Sequence, residues 1–183
     1  MATLLHNISG ELTQELLAAG DNARVSSISL TNARAFLSGV TNASSTCKVD
    51  LYIEKKATGR LDLFQKFYIL KDISLPLGAT LSHDFTMNNS IGEYGLYIKL
   101  TRGDTFTLTG TIDPAASTAV PGVSTLFTTE VGIGDEIVVS TETRTVSKIT
   151  DATNLTVTSA FSNNANDTTP DCNPEAIVDV IIS

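Results

Sequence analysis

Hydrophobic and polar positions alternate with a two-residue period through most of this chain, the signature of strands with one buried face. Within 48–54, Val49, Leu51 and Ile53 point one way while Asp50, Tyr52 and Glu54 point the other. Within 95–100, Leu96, Ile98 and Leu100 oppose Tyr97 and Lys99. The stretch 67–81 reads as a strand over Phe67, Tyr68, Ile69 and Leu70, a short acidic break, and a second strand in which Ile73, Leu75 and Leu77 alternate with Asp72, Ser74 and Pro76. Pro76 cannot donate to a ladder and Gly78 frees the backbone to turn, so this strand ends, or lies at a sheet edge, near Pro76. Residues 81–87 form another short strand, followed by a loop over 88–92. Residues 12–17 read as a strand, with a helical turn capped by Gly20 as the alternative. The turn signal Gly20-Asp21-Asn22 then joins them in a hairpin to 25–31, where Val25, Ser27, Ser29 and Thr31 alternate with Ser26, Ile28 and Leu30. Residues 33–46 are small and polar apart from Phe36, Leu37 and Val40, as in a connecting loop.

The pattern changes at Gly110. Residues 110–175 hold two basic residues, Arg144 and Lys148, against nine acidic ones, and so carry nearly all of the chain's net charge of −8. Loops at 113–122 and 162–174 bound the segment. Between them short strands are expected at 125–128, 136–140, 143–149 and 155–159, with turns at 132–135, 141–142 and 151–154. Such a set suits a small β-barrel. Its expected core is Phe127, Ile133, Ile137, Val139, Val146, Ile149, Leu155, Val157 and Phe161. In the ending 176–183, Ile177, Val178, Val180, Ile181 and Ile182 are interrupted only by Asp179 and need a sheet to join, with 105–109 as the expected partner. The expected fold is therefore all-β: an antiparallel β-sandwich of about eight strands from 1–109 plus 176–183, with the acidic unit 110–175 inserted as a small β-barrel-like domain before the last strand.

Charge narrows the function. With 12 basic and 20 acidic residues the chain is poorly suited to neutralising nucleic-acid phosphates or to an anionic membrane surface. The N-terminus has no basic leader before an apolar run, and no span of about 18 apolar residues exists for a membrane helix, so a soluble cytoplasmic product is expected. Cys47 and Cys172 lie far apart without a motif and read as reduced thiols. The basic cluster Lys55, Lys56 and Arg60 around Gly59 reads as a solvated hairpin tip, with a docking patch for an acidic partner as the alternative. Arg102-Gly103-Asp104 reads as a hairpin turn.

No catalytic, cofactor-binding or metal-binding residue is assigned. His6 and His83 have no partner at ligand spacing. Gly132-Ile133-Gly134-Asp135 is too short for a phosphate loop and precedes a strand. The carboxylates of 110–175 read as solubilising charge, and a calcium site at 163–171 lacks the alternating ligands and glycine of a calcium loop.

Several blocks nevertheless resemble small β-sandwich structural proteins of tailed-bacteriophage particles: VSSISLTN at 25–32, VDLYI at 49–53, YILKDISLPLGATL at 68–81, YGLYIKL at 94–100 and VDVIIS at 178–183. The segment STLFTTEVGIGDEIVVSTETRTVSKITDATNLTVTSAF, 124–161, resembles a small β module that recurs in phage virion proteins, although 115–122 departs from its usual glycine-rich opening strand. The resemblance implies a non-enzymatic virion structural protein without cofactors, assembled in the host cytoplasm. It would be a capsid decoration (cement) protein whose sandwich docks on the major capsid protein or on sister copies as a dimer or trimer. A neck or tail adaptor or ring component is the alternative. A host-surface carbohydrate-binding module is a third reading, weakened by the absence of Trp and limited to Tyr52, Tyr94 and Tyr97 as exposed aromatic candidates.

Overall fold

The computed structural model describes residues 3–21, 24–35, 39–42, 44–55, 65–88, 93–113, 116–162 and 168–183. Phe36 and Leu37, the Lys56–Gly59–Arg60 cluster, most of the 88–92 loop and 163–167 of the calcium stretch lie outside them. The fold is all-β and sandwich-like, built from three antiparallel sheets.

Eight long strands make the sandwich. They are β1 (Leu4–Ser9), β2 (Thr13–Leu17), β3 (Arg24–Asn32), β4 (Cys47–Lys55), β5 (Lys66–Leu75), β6 (Thr80–Asn88), β7 (Tyr94–Arg102) and β15 (Ile177–Ile182). One sheet runs β1-β15-β3-β6 and the other β2-β7-β4-β5. Alternation works as the sequence implies: Val49 and Leu51, Leu96, Ile98 and Leu100, and Val178, Val180 and Ile182 all bury into the core the two sheets share. Burying such side chains contributes about 1.5–3 kcal/mol each. Short connections carry the chain from β1 to β2 and from β5 to β6, each time from one sheet to the other. One flank of the sandwich is therefore formed by edges β1 and β2, the opposite flank by edges β5 and β6.

The acidic break in 67–81 is a bulge within one strand. The β4–β5 register shifts between Val49 and Leu51, and Asp72 adopts φ 50° there. The Asp50 carboxylate accepts from the Asp72 backbone N–H at 2.8 Å and from Lys71 at 2.9 Å, which holds the extra residue in place. β5 is an edge strand that ends at Leu75, just before Pro76.

Two pairings differ from expectation. β2 pairs with β7 rather than forming a hairpin with β3. β15 lies between β1 and β3 rather than beside 105–109. The physical reason is burial: a strand presenting Val178, Val180 and Ile182 to the core gains most in a central position, whereas 105–109 contributes only the two-residue β8 (Phe106–Thr107), which packs elsewhere.

A second core is assembled on a seven-stranded sheet. Its strands are β8, β9 (Thr111–Ile112), β10 (Ala119–Val123), β11 (Glu136–Val139), β12 (Glu142–Asp151), β13 (Asn154–Val157) and β14 (Asp171–Asn173), in the order β8-β14-β11-β12-β13-β10-β9. A bridge between Ile112 and Thr168 draws one end towards the segment that leads into β14, but no barrel closes. The expected strand at 125–128 is instead the helical turn α1 (Phe127–Glu130), and β10 runs through what reads as a loop. Ile133 sits 60% exposed in the 132–135 turn, while Leu108, Ile112, Val120, Val131 and Cys172 join the core. No described helix is long and apolar enough to cross a membrane.

Candidate functional site: a joint and an open edge

Two arginines from the sandwich fasten the second sheet. Arg34 follows β3, and its backbone N–H donates to the Asn32 side chain at 3.2 Å. The Asn32 amide is in turn fixed by the carbonyls of Ser45 and Leu75 at 3.2 and 3.0 Å. The Arg34 guanidinium donates through both terminal nitrogens to the two carboxylate oxygens of Asp135, and the side chains are 1% and 0% exposed. Asp135 also accepts from the N–H groups of Gly132 at 2.7 Å and Glu175 at 2.8 Å. Such a carboxylate is fully satisfied, the condition under which a buried pair is tolerated. Gly134 sits at φ 91°, a left-handed conformation that favours glycine over any residue with a Cβ.

Arg102 makes the second tie, donating to the carbonyls of Asn173 at 3.2 Å and Gly134 at 3.4 Å. Arg102-Gly103-Asp104 is thus a crossing between sheets and not a hairpin turn. Gly103 passes so close to residue 46 that a Cβ would meet the Thr46 carbonyl oxygen at 2.1 Å. Beneath the joint, burial first and then the neighbouring Asp135 push the Cys172 thiol well above its ordinary value, and burial pushes Cys47 up to about 12. Both stay protonated thiols at neutral pH and act as apolar filling.

The carboxylates of the acidic segment are not all solvated charge. Glu130 accepts from the Thr109 N–H and hydroxyl at 2.9 and 2.7 Å, tying α1 to the bend between β8 and β9. Glu142 accepts from the Ser162 N–H at 3.0 Å and from Arg144 at 2.5 Å, and Arg144 covers Phe161 at 5.3 Å. Asp151 accepts from the Asn154 amide at 2.9 Å and the Thr153 N–H at 2.8 Å, which hold it below its ordinary value. The Asp151-Ala152-Thr153-Asn154 spacing is an Asx-turn signal legible in sequence. The reach of Glu130 to Thr109 is not.

On the outer face of the second sandwich sheet, Glu15, Tyr97, Tyr52 and Tyr68 form a row across four strands. The Tyr52 ring lies 5.7 Å from Tyr97 and 5.5 Å from Tyr68, and Lys66 lies 4.5 Å above it. Tyr52, expected to be exposed, is buried under this cover. Burial and the hydrogen bond to Glu15 push Tyr97 up to about 12. Between edges β5 and β6 lies an apolar cleft of about 260 Å³, lined by Ile53, Ile69, Phe85, Met87 and Tyr94 with Thr86 and Asn88 at its polar margin.

The opposite flank has a different character. Leu4, Leu5 and Leu12 are 39%, 71% and 72% exposed, and Ile181, which faces Leu5 across the ladder, is 44% exposed. The Gly10 N–H donates to the Ala176 carbonyl at 2.9 Å in the β1–β15 register. By antiparallel alternation, residues 4, 6 and 8 bond to β15, whereas Leu5, Asn7 and Ser9 turn their N–H and C=O groups to the open side. There β1 has no neighbouring strand among the described residues.

His6 and His83 lie on the two edge strands of one sheet, His83 stacked 6.0 Å from Phe85. Among the described residues no group of three or more His, Cys, Asp or Glu side chains could hold a metal. No family model, curated protein or solved structure matches the chain.

Proposed function

We propose that this chain is a structural subunit of a tailed-bacteriophage particle, a decoration protein that stabilises the capsid shell through contacts made by its sandwich. The observation that carries the reading is the open edge of β1, an uncharged strand with exposed leucines on a body whose two cores are fastened by a buried ion pair. A rigid block with one adhesive edge suits repeated, identical contacts in a symmetric assembly. Many such contacts add up to strong retention on a multivalent surface even where each is weak. The phage assignment itself is supported by the sequence blocks described above. The net charge of −8 opposes association with packaged DNA.

Quantitative mass spectrometry of purified particles tests this reading. A copy number within a few-fold of the major capsid protein is expected for decoration. A ratio near that of a six- or twelve-membered ring would transfer the chain to the neck or tail, and its absence from particles would overturn the virion assignment.

A further inference from the structure

We infer that β1 pairs with β1 of a second copy of this chain, antiparallel about a two-fold axis at Leu5, so that two four-stranded sheets merge into one continuous eight-stranded sheet. The inference deepens the assembly reading by naming the partner of its edge.

The first argument is the treatment of the four sandwich edges. β2 carries Glu15 and a register shift beside it, β5 carries Lys66, Lys71 and the Asp72 bulge, and β6 carries Asp84 and a register shift against β3. Bulges and charges of this kind block edge-to-edge pairing. β1, Leu4-Leu5-His6-Asn7-Ile8-Ser9, has no Lys, Arg, Asp, Glu or Pro, and its six-residue register on β15 is unbroken. Of the four edges it alone keeps the regular, neutral hydrogen-bonding row that another strand needs.

The second argument fixes the occupant. A chain with net charge −8 can approach its own copy only where local charge is low, and β1 meets that condition. It is also self-complementary. The open groups belong to Leu5, Asn7 and Ser9, so a two-fold axis through the Leu5 pair makes Leu5 face Leu5 of the copy and Asn7 face Thr3 of the copy, with roughly six backbone hydrogen bonds. On the outer face the two leucines then continue the Leu5–Ile181 rung of each copy into one apolar row four side chains long. An axis at Asn7 would set Leu5 against Ser9 and leave that row broken. The interface closes on itself and gives a dimer rather than a fibre.

Sedimentation velocity across a concentration series tests the pairing on the full chain. The wild type is expected to form a reversible dimer of twice the 19.4 kDa chain mass. Leu5→Lys, which places two ammonium groups face to face, is expected to weaken it by roughly 100-fold or more, with a circular dichroism melt that matches the wild type at concentrations where both are monomeric. Leu5→Cys reports the register. Facing residues of a hydrogen-bonded pair lie about 5.5 Å apart at Cα, within disulfide reach, so mild oxidation is expected to give a reducible cross-linked dimer. Asn7→Cys would set its thiols roughly 13 Å apart and is expected not to cross-link. The buried Cys47 and Cys172 leave the new thiol as the reactive one. A wild type that stays monomeric at high concentration, a dimer indifferent to Leu5→Lys, or Asn7→Cys cross-linking as readily as Leu5→Cys would overturn the inference. A monomer that still binds particles would remove the pairing while leaving the decoration reading intact, whereas a dimer absent from particles would do the reverse.

Discussion

The two flanks of the sandwich differ in charge and regularity: β1 and β2 carry one charged residue, Glu15, whereas β5 and β6 carry Lys66, Lys71, Asp72 and Asp84. The β5/β6 flank is closed against pairing: Asp50 holds the Asp72 bulge, Lys66 and Lys71 lie over Tyr52 and Tyr68, and Asp84 adds a charge on β6. The β1/β2 flank keeps a regular neutral β1 and leaves Leu5 and Leu12 in water. A free strand edge is an aggregation hazard unless something covers it. The difference shows that the means of blocking an edge are present in this chain and are not applied at β1, which is why we place the assembly contact there.

The largest effect is expected from breaking the body that carries both flanks. Asp135→Ala leaves the Arg34 charge buried without its carboxylate and should cost about 3–5 kcal/mol in denaturant unfolding. A loss below about 1 kcal/mol would mean that the two cores do not depend on this pair. Asp50→Asn should loosen the protected β5 edge and cost about 1–2 kcal/mol. Burial alone would raise the Asp50 carboxyl, but the Asp72 N–H and the Lys71 ammonium overcome it and hold the group below its ordinary value. The stability it contributes is therefore fully present above the unfolded-state value and is lost as pH falls through the lower folded value. An acid unfolding series should show a shallower loss below about pH 4 in Asp50→Asn than in the wild type.

Giving β1 the kind of charge its counterparts carry sharpens the contrast at smaller cost. Asn7→Lys should change the melting free energy by less than about 0.5 kcal/mol, yet reduce self-association. The smallest effect is expected at Glu175, raised above its ordinary value by burial first and by Asp135 among its neighbours. A raised carboxyl makes the folded state bind the proton more tightly, so stability falls as pH rises through that value and the ionised group opposes folding at pH 7. Glu175→Gln should stabilise by a few tenths of a kcal/mol, about 0.5 at most, and flatten the pH dependence just above the ordinary glutamate range.

Much of the sandwich is legible in sequence because its strands are long and alternate cleanly, as at Val49–Leu51–Ile53 and Leu96–Ile98–Leu100. What escapes is non-local. The break at Asp72 is a bulge only because Asp50 stands opposite, and β15 is central only because both β1 and β3 present core faces to it. The 125–128 stretch reads as strand from its Thr and Phe, but Glu130 reaching to Thr109 and the Val131 N–H donating to the Phe127 carbonyl make it a helical turn. Arg34 and Asp135 lie 101 residues apart, one in a stretch that reads as loop and one in a turn, and nothing local marks either as buried. Residues 4–9 are assigned no element by the sequence pattern, and the exposure of Leu4 and Leu5 comes from the structure. That β1 is an edge, and an unprotected one, appears only once the register of the other edges is known.

Amide hydrogen exchange along β1, followed as a function of protein concentration, tests the open edge most directly. The amides of His6 and Ile8 bond to β15 and should be protected at every concentration. Those of Leu5 and Asn7 should exchange freely in dilute solution and become protected as concentration rises. Leu5 and Asn7 amides that exchange freely at all concentrations, with His6 and Ile8 still protected, would contradict the assignment of β1 as the edge on which copies of this chain assemble.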